Sequence, residues 1–219
     1  MKQTPVITKS RVETLLETRF LNVYDLQYAE GRHYYDASRK KLGELTALLP
    51  DEEFRRMLPD AVTLNVILRT QDEDRLLLFY EYRYPAGHFL LSPPAGLIEK
   101  EEKEQEDAIF RTAVRELFEE TGIRFSDRDE YRLLNPGLFS SPGMTDESNA
   151  VALFVIHDPD LSVLSDQHTE ETEVFDGFCL LNREEAMECL RRGRDERGNL
   201  YSIYTWQALL VFVSGIWKQ

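Results

Sequence analysis

The chain has few of the residues from which redox, zinc or membrane chemistry is built. Its 219 residues include two cysteines, Cys179 and Cys189, and four histidines. The cysteines form no CxxC pair and no disulfide framework, which suits a reducing compartment. His33, His88, His157 and His168 fall in no HxH or HExxH spacing, so a common zinc motif is absent. Positive charge is also scarce: 26 Lys and Arg stand against 40 Asp and Glu, a net charge of −14. That balance argues against a nucleic-acid-binding surface. It leaves room for a nucleotide bound through a divalent cation, because the ion reverses the local field. Long apolar runs are missing. The run "ALLVFV" (208–213) near the C-terminus is far too short to span a bilayer. The opening "MKQTPVITKSRVETLLE" lacks the apolar core of a signal peptide. The expectation is a cytoplasmic protein with no membrane or nucleic-acid partner. No Walker loop is present, and Ser140 and Ser141 lie in no GxSxG context.

What is present is an ordinary globular composition, 42% hydrophobic, enough for one sizeable core or for one domain with a small accessory one. Residues 20–40 alternate apolar and polar around Glu30-Gly31 and read as a hairpin. Residues 41–59 read as a linker with a short helix started by Pro50-Asp51 and stopped by Pro59. Apolar stretches predict strands over 61–70, 75–84, 149–157 and 174–181, with further strands opening 87–99 and 130–148. Helices are expected over the fifteen or so residues before Gly122, over 183–193 and over 201–217. In the last of these, Trp206, Leu209, Leu210 and Phe212 read as the packing face. Cys179 reads as a buried strand residue. The element order favours α+β, with a boundary between 1–59 and 60–219.

One turn of the first long helix stands out. "RELFEETGI" (115–123) puts Glu116, Glu119 and Glu120 on one helical face, where like charges repel. A solvated acidic face explains that as simply as a bound cation does. A hard divalent ion such as Mg²⁺ or Mn²⁺ would turn the repulsion into chelation, and Arg115 could brace a neighbouring carboxylate.

The surrounding stretch, "PPAGLIEKEEKEQEDAIFRTAVRELFEETGI" (93–123), resembles the Nudix box of the Nudix hydrolases, Gly-x5-Glu-x7-Arg-Glu-φ-x-Glu-Glu-x-Gly-φ with φ aliphatic. "RELFEETGI" matches the second half at every fixed position. In the first half, counting back from Arg115 reaches Asp107 where the family has Glu and Glu101 where it has Gly. Gly96 is then the matching glycine, five residues of "EKEEKEQE" read as an insertion ahead of Asp107, and Asp107 becomes the candidate brace for Arg115. The resemblance implies an α/β/α sandwich with a mixed sheet behind a small antiparallel β N-terminal domain. It also implies hydrolysis of a nucleoside diphosphate linked to another moiety. Glu116 and Glu120 are then the principal metal ligands, with Glu119 in support. Metal ions neutralise the diphosphate oxygens and activate the attacking water.

Features outside the box resemble the ADP-ribose pyrophosphatase branch. There a backbone carbonyl before the helix also binds metal, which falls on Ala95. "EYRYPAGHFLLSPPAG" (81–96) places Arg83 where the branch has a phosphate-binding arginine. Phe20 and Tyr34 fall where it clamps the adenine, and Arg39 where an arginine comes from the partner of a homodimer. Phe20 and Tyr34 could equally be hairpin core, and Tyr35 could replace Tyr34. "SSPGMTDES" (140–148) resembles a loop beside the substrate and offers Gly143 and Thr145. "HTEETEVFDGF" (168–178) resembles the loop that carries a catalytic base, with Glu173 first and Glu170 second; a base on a loop can swing in when substrate binds. Ser92 departs from the branch, which has Glu there, and the 41–59 link is longer than usual. The resemblance therefore implies cleavage of ADP-ribose to AMP and ribose 5-phosphate. It leaves open another nucleotide sugar, such as a hexose conjugate, and a catalytically silent nucleotide sensor.

Overall fold

The computed structural model describes residues 4–165 and 174–218. The chain divides into two compact units. One joins Met1–Asp60 to Gly137–Asn149; the other holds Ala61–Pro136 and Ala150–Gln219.

The first unit contains a three-stranded antiparallel sheet, β1 (Val12–Glu17), β2 (Asn22–Ala29) and β3 (Arg32–Ser38), in that order. The β2–β3 hairpin turns at Glu30-Gly31, where Gly31 has φ of 64°. Tyr24 and Leu26 leave one face of β2 to pack with Leu45 and the partly buried Ile7, Val12, Leu42 and Leu48. Two 3-10 turns (Leu42–Glu44, Thr46–Leu48) and a single turn of helix, α1 (Asp51–Phe54), follow. The 137–149 segment is tied to this unit by Lys40. Its Nζ donates to Asp60 Oδ2 at 2.9 Å, Thr46 Oγ1 at 3.1 Å and the Asp146 carbonyl at 3.2 Å. Asp146 accepts in turn from Ser38 Oγ and Thr46 N, and Asp60 from Ser148.

β1 has no counterpart in the sequence reading. Five of its six residues are exposed, Leu15 and Leu16 included. The backbone ladder to β2 holds it, so no apolar alternation marks it.

The second unit is built on a mixed sheet ordered β10 (Phe175–Leu181), β5 (Asp74–Arg83), β4 (Ala61–Arg69), β9 (Ser148–His157) and β8 (Glu130–Phe139). β6 (His88–Ser92) pairs with β5, and β7 (Ala95–Leu97) with β4. β4 is buried along all but its last residue, as expected of a strand covered on both faces. One face meets α3 (Ala108–Thr121): Val62, Leu64, Val66, Leu68 and Leu77 pack with Ala113 and Leu117. The other face meets α4 (Arg183–Arg192) and α5 (Ile203–Ser214): Ile67, Leu76, Leu78 and Tyr80 pack with Ala186, Leu209 and Phe212. The result is the expected α/β/α sandwich.

Two local expectations fail. Only half of the anticipated α5 packing face is inside: Leu209 and Phe212 are buried, while Trp206 and Leu210 are exposed. α5 is apolar around most of its circumference, so periodicity could not say which side faces the sheet. The acidic run before α3 does not simply lead into it. Residues Lys100–Lys103 form a separate short helix, α2, held by a capping box between Glu99 and Glu102. Among the described residues no helix is long and apolar enough to cross a membrane.

Candidate active site

The last two turns of α3 carry the acidic triplet. Helical spacing sends Leu117 and Ala113 into the core and leaves Glu116, Glu119 and Glu120 on the flank that faces β7. Glu116 is 8% exposed and Glu120 4%, a depth at which carboxylates persist only when paired or ion-bound. The Ala95 backbone N–H donates to Glu120 Oε2 at 2.7 Å. A Cβ placed on Gly96 would overlap the Glu116 carboxylate, so this glycine lets a carboxylate lie directly against the strand backbone. Gly122 ends the helix in the left-handed region at φ 76°, its N–H bonded to the Phe118 carbonyl. A side chain there would also collide with the Val163 carbonyl.

Arg115 organises the turn. Its Nη1 donates to Glu116 Oε1 at 2.7 Å and Glu119 Oε2 at 2.8 Å, its Nη2 to the Leu97 carbonyl at 3.0 Å, and its Nε to Glu102 Oε1 at 3.0 Å. Burial pulls the guanidinium pKa down, but the bonds and charges of Glu102, Glu116 and Glu119 outweigh it and raise it. For Glu102, burial pushes the carboxyl up; the hydrogen bonds from Arg115, the Glu99 backbone N–H and Thr112 prevail and hold it below its ordinary range.

This corrects the sequence reading of the loop. Asp107 does not brace Arg115. It pairs with Arg111 one turn along, at 2.6 Å, on the exposed side. The brace is Glu102, half-buried, with Thr112 Oγ1 at 2.8 Å on its second oxygen. Gly96 to Glu102 has the Gly-x5-Glu spacing, so that half of the pattern is intact. The extra residues lie between Glu102 and Arg115, where α2 ends and α3 begins. Counting forward from Gly96 would have found Glu102; counting back from Arg115 crosses the insertion and loses the register.

Arg83, at the end of β5, is exposed and ion-paired to Glu81 at 2.6 Å. In the first unit, Phe20 and Tyr34 are both exposed, so neither is hairpin core. Tyr35 is exposed as well. Tyr34 donates its hydroxyl to the Gly143 carbonyl at 2.8 Å. Arg39 pairs with Glu147 at 3.2 Å, and Thr145 Oγ1 accepts the Glu147 N–H. Glu170 and Glu173 lie outside the described residues. Ser92 is buried in β6.

Among the described residues no three His, Cys, Asp or Glu side chains are already grouped to hold a metal ion; Arg115 sits between two of the candidate ligands. The donor set itself suits a hard divalent cation: two buried carboxylates, a third partly exposed, and a glycine that opens the backbone beside them.

An α/β/α sandwich whose covered helix presents an arginine-braced carboxylate turn to a glycine strand is an architecture suited to cation-assisted phosphate chemistry. The NUDIX domain family model matches residues 57–202, two-thirds of the chain, and the chain belongs to the Nudix family. It is 33% identical over 101 residues to Nudix hydrolase 14, chloroplastic, of Arabidopsis thaliana, covering 43% of this chain and 31% of that protein. It is 31% identical over 112 residues to an uncharacterized Nudix hydrolase of Schizosaccharomyces pombe, covering 51% and 49%. The chain thus spans about half or less of the length of these curated relatives. A crystal structure of an ADP compounds hydrolase shares the fold, with a TM-score of 0.60 at 20% identity, over 98% of this chain and 94% of that one.

Proposed function

We propose that the protein hydrolyses the diphosphate bond of ADP-ribose, giving AMP and ribose 5-phosphate, or of a closely related nucleoside diphosphate sugar, with Mg²⁺ or Mn²⁺. The observation that carries this is the buried Glu116–Glu120 pair lying against Gly96 and Ala95 and braced by Arg115. The fold shared with an ADP compounds hydrolase supports the choice of substrate.

In this account Glu116 and Glu120 hold the cation, with Glu119 and the Ala95 carbonyl in support. The cation supplies charge neutralisation at the diphosphate oxygens and favours ionisation of water. Arg115 and Glu102 fix where the carboxylates point. Arg83 meets the diphosphate. Glu173 takes the proton of the attacking water, with Glu170 as the alternative. Val174, the next residue in the chain, accepts the Tyr82 N–H at 2.8 Å. Phe20 and Tyr34 hold the base, and their exposure is what a stacking role needs. Arg39, Gly143 and Thr145 contact the remainder of the substrate. The protein acts as a homodimer; the exposed Leu15 and Leu16 of edge strand β1 are consistent with a surface that a second copy covers.

A substrate panel scored by kcat/KM tests the reading. ADP-ribose should be turned over faster than hexose-linked nucleoside diphosphates; equal or lower values for ADP-ribose reassign the substrate, and no turnover of any member removes the hydrolase.

A further inference from the structure

Alternation along β5 sends its residues to opposite faces of the sheet. Leu77 belongs to the core on the α3 side, while Leu76, Leu78 and Tyr80 belong to the core under α4 and α5. Phe79, Glu81 and Arg83 follow Leu77 in steps of two, so they project to the α3 side, the side of the acidic turn. The β10 register agrees: Leu180 lies opposite Leu77, Phe178 opposite Phe79 and Phe175 opposite Glu81, and both Phe178 and Leu180 pack on the α3-side core. Glu81 is therefore a carboxylate 8% exposed, with Leu90 opposite it on β6. Its Oε2 lies 2.6 Å from Arg83 Nη2.

We propose that Glu81 is a positioning residue that locks the Arg83 guanidinium at the end of β5 as a preformed phosphate contact. The inference rests on the reading of the site as a nucleoside diphosphate hydrolase. A buried carboxylate is costly to leave without its cation, which favours Arg83 staying on Glu81. The lock is needed because of the neighbourhood. Glu116, Glu119 and Glu120 lie on the same side of the sheet, and a mobile arginine is drawn onto such a cluster, as Arg115 is. Glu81 holds Arg83 back from the cation ligands. Among the described residues Glu81 is the ion-pair partner of the planar fork, through one Nη, which leaves its other N–H groups for phosphate oxygens. Arg83 therefore meets the substrate without first losing side-chain freedom.

Side-chain ¹⁵N NMR of the ligand-free protein, combined with steady-state kinetics on a nucleoside diphosphate sugar, tests this. The Arg83 Nε–H resonance is assigned by its loss in Arg83→Lys. In the wild type the Nη groups should show hindered rotation about the Nε–Cζ bond; in Glu81→Gln, which keeps the volume, that hindrance should vanish. KM should rise about tenfold in Glu81→Gln, the scale of one misplaced charge-assisted hydrogen bond, with kcat within about threefold. The double variant with Arg83→Lys should be no worse than Arg83→Lys alone, and Glu81→Asp should recover part of the KM. A freely rotating Arg83 guanidinium in the wild type, an unchanged KM in Glu81→Gln, or multiplying effects in the double variant overturns the proposal. A locked Arg83 in a protein that cleaves no nucleoside diphosphate confirms the lock and removes the functional reading.

Discussion

Replacing Glu102 by Gln, beside a control replacement of Asp107 by Asn, separates the two candidates for the Arg115 brace. Glu102 offers Arg115 two hydrogen bonds, to Nε at 3.0 Å and to Nη2 at 3.2 Å, and accepts a third from Thr112 at 2.8 Å. Both charged side chains are largely covered, at 25% and 13% exposure. Hydrogen bonds to charged groups contribute about 1.5–3 kcal/mol each at most, and breaking a buried ion pair costs about 3–5 kcal/mol. Gln keeps one acceptor, and Arg115 keeps Glu116 and Glu119, so about 2 kcal/mol is expected for Glu102→Gln. At the size of this chain that lowers Tm by roughly 4–8 °C. Asp107→Asn should change nothing measurable, since Asp107 and Arg111 form an exposed pair within one helix. The assay is urea denaturation of both variants, with diphosphate hydrolysis measured in parallel. Glu102→Gln should also lose activity, because an unbraced Arg115 is left to Glu116 and Glu119 alone. The effect is lost in acid. The Glu102 carboxyl is held below its ordinary range, so its contribution is present above that range and fades as pH falls through it. An Asp107→Asn variant as damaged as Glu102→Gln would refute the assignment.

Gly96→Ala should leave the protein folded but displace the Glu116 carboxylate, which occupies the place of the new methyl group; activity should fall together with the affinity for Mg²⁺, and an unaffected Mg²⁺ dependence would count against the cradle. Asp36 is 6% exposed, and its Oδ2 has no hydrogen-bond partner among the described residues. Burial first, then the Asp146 charge, raise its pKa from 3.8 to about 6, against the Asp146 N–H and Lys40. The protonated form is therefore favoured in the folded state, and stability present below the ordinary carboxylate range is lost as pH rises through about 6. At about 1.4 kcal/mol per pKa unit, Asp36→Asn should stabilise by up to about 3 kcal/mol at pH ~8 and by little at pH ~4; equal effects at the two pH values would refute this.

Much of the second unit could be read before any coordinates. Val62–Leu68 and Leu76–Tyr80 are apolar on both faces because helices cover both sides of the sheet, and such runs are visible as composition. The acidic turn was legible because its spacing is fixed by the helix and its end by Gly122. Four features were not. β1 is held by backbone hydrogen bonds with its side chains in water, so its sequence carries no burial pattern. Glu102 was missed because a spacing rule fails across an insertion, and only the fold shows that α2 returns the carboxylate to Arg115. The attachment of 137–149 to the first unit depends on Lys40, Asp60 and Asp146, residues far apart in the chain whose types read as ordinary surface charges. Glu81 was hidden for a similar reason. Its neighbours in sequence are aromatic strand residues, and only the register reveals a buried acid beneath Arg83.

The central claim is that the buried carboxylates of α3 hold the cation on which diphosphate cleavage depends. Its most direct test is the rate of AMP release from ADP-ribose as a function of Mg²⁺ in the wild type and in Glu120→Gln, with far-UV circular dichroism on both. The account predicts a folded variant whose turnover falls by at least about a hundredfold, the scale of losing a charge that acts on the transition state, and that excess Mg²⁺ does not restore. A folded Glu120→Gln protein that cleaves ADP-ribose at the wild-type rate and with the wild-type Mg²⁺ dependence would contradict it.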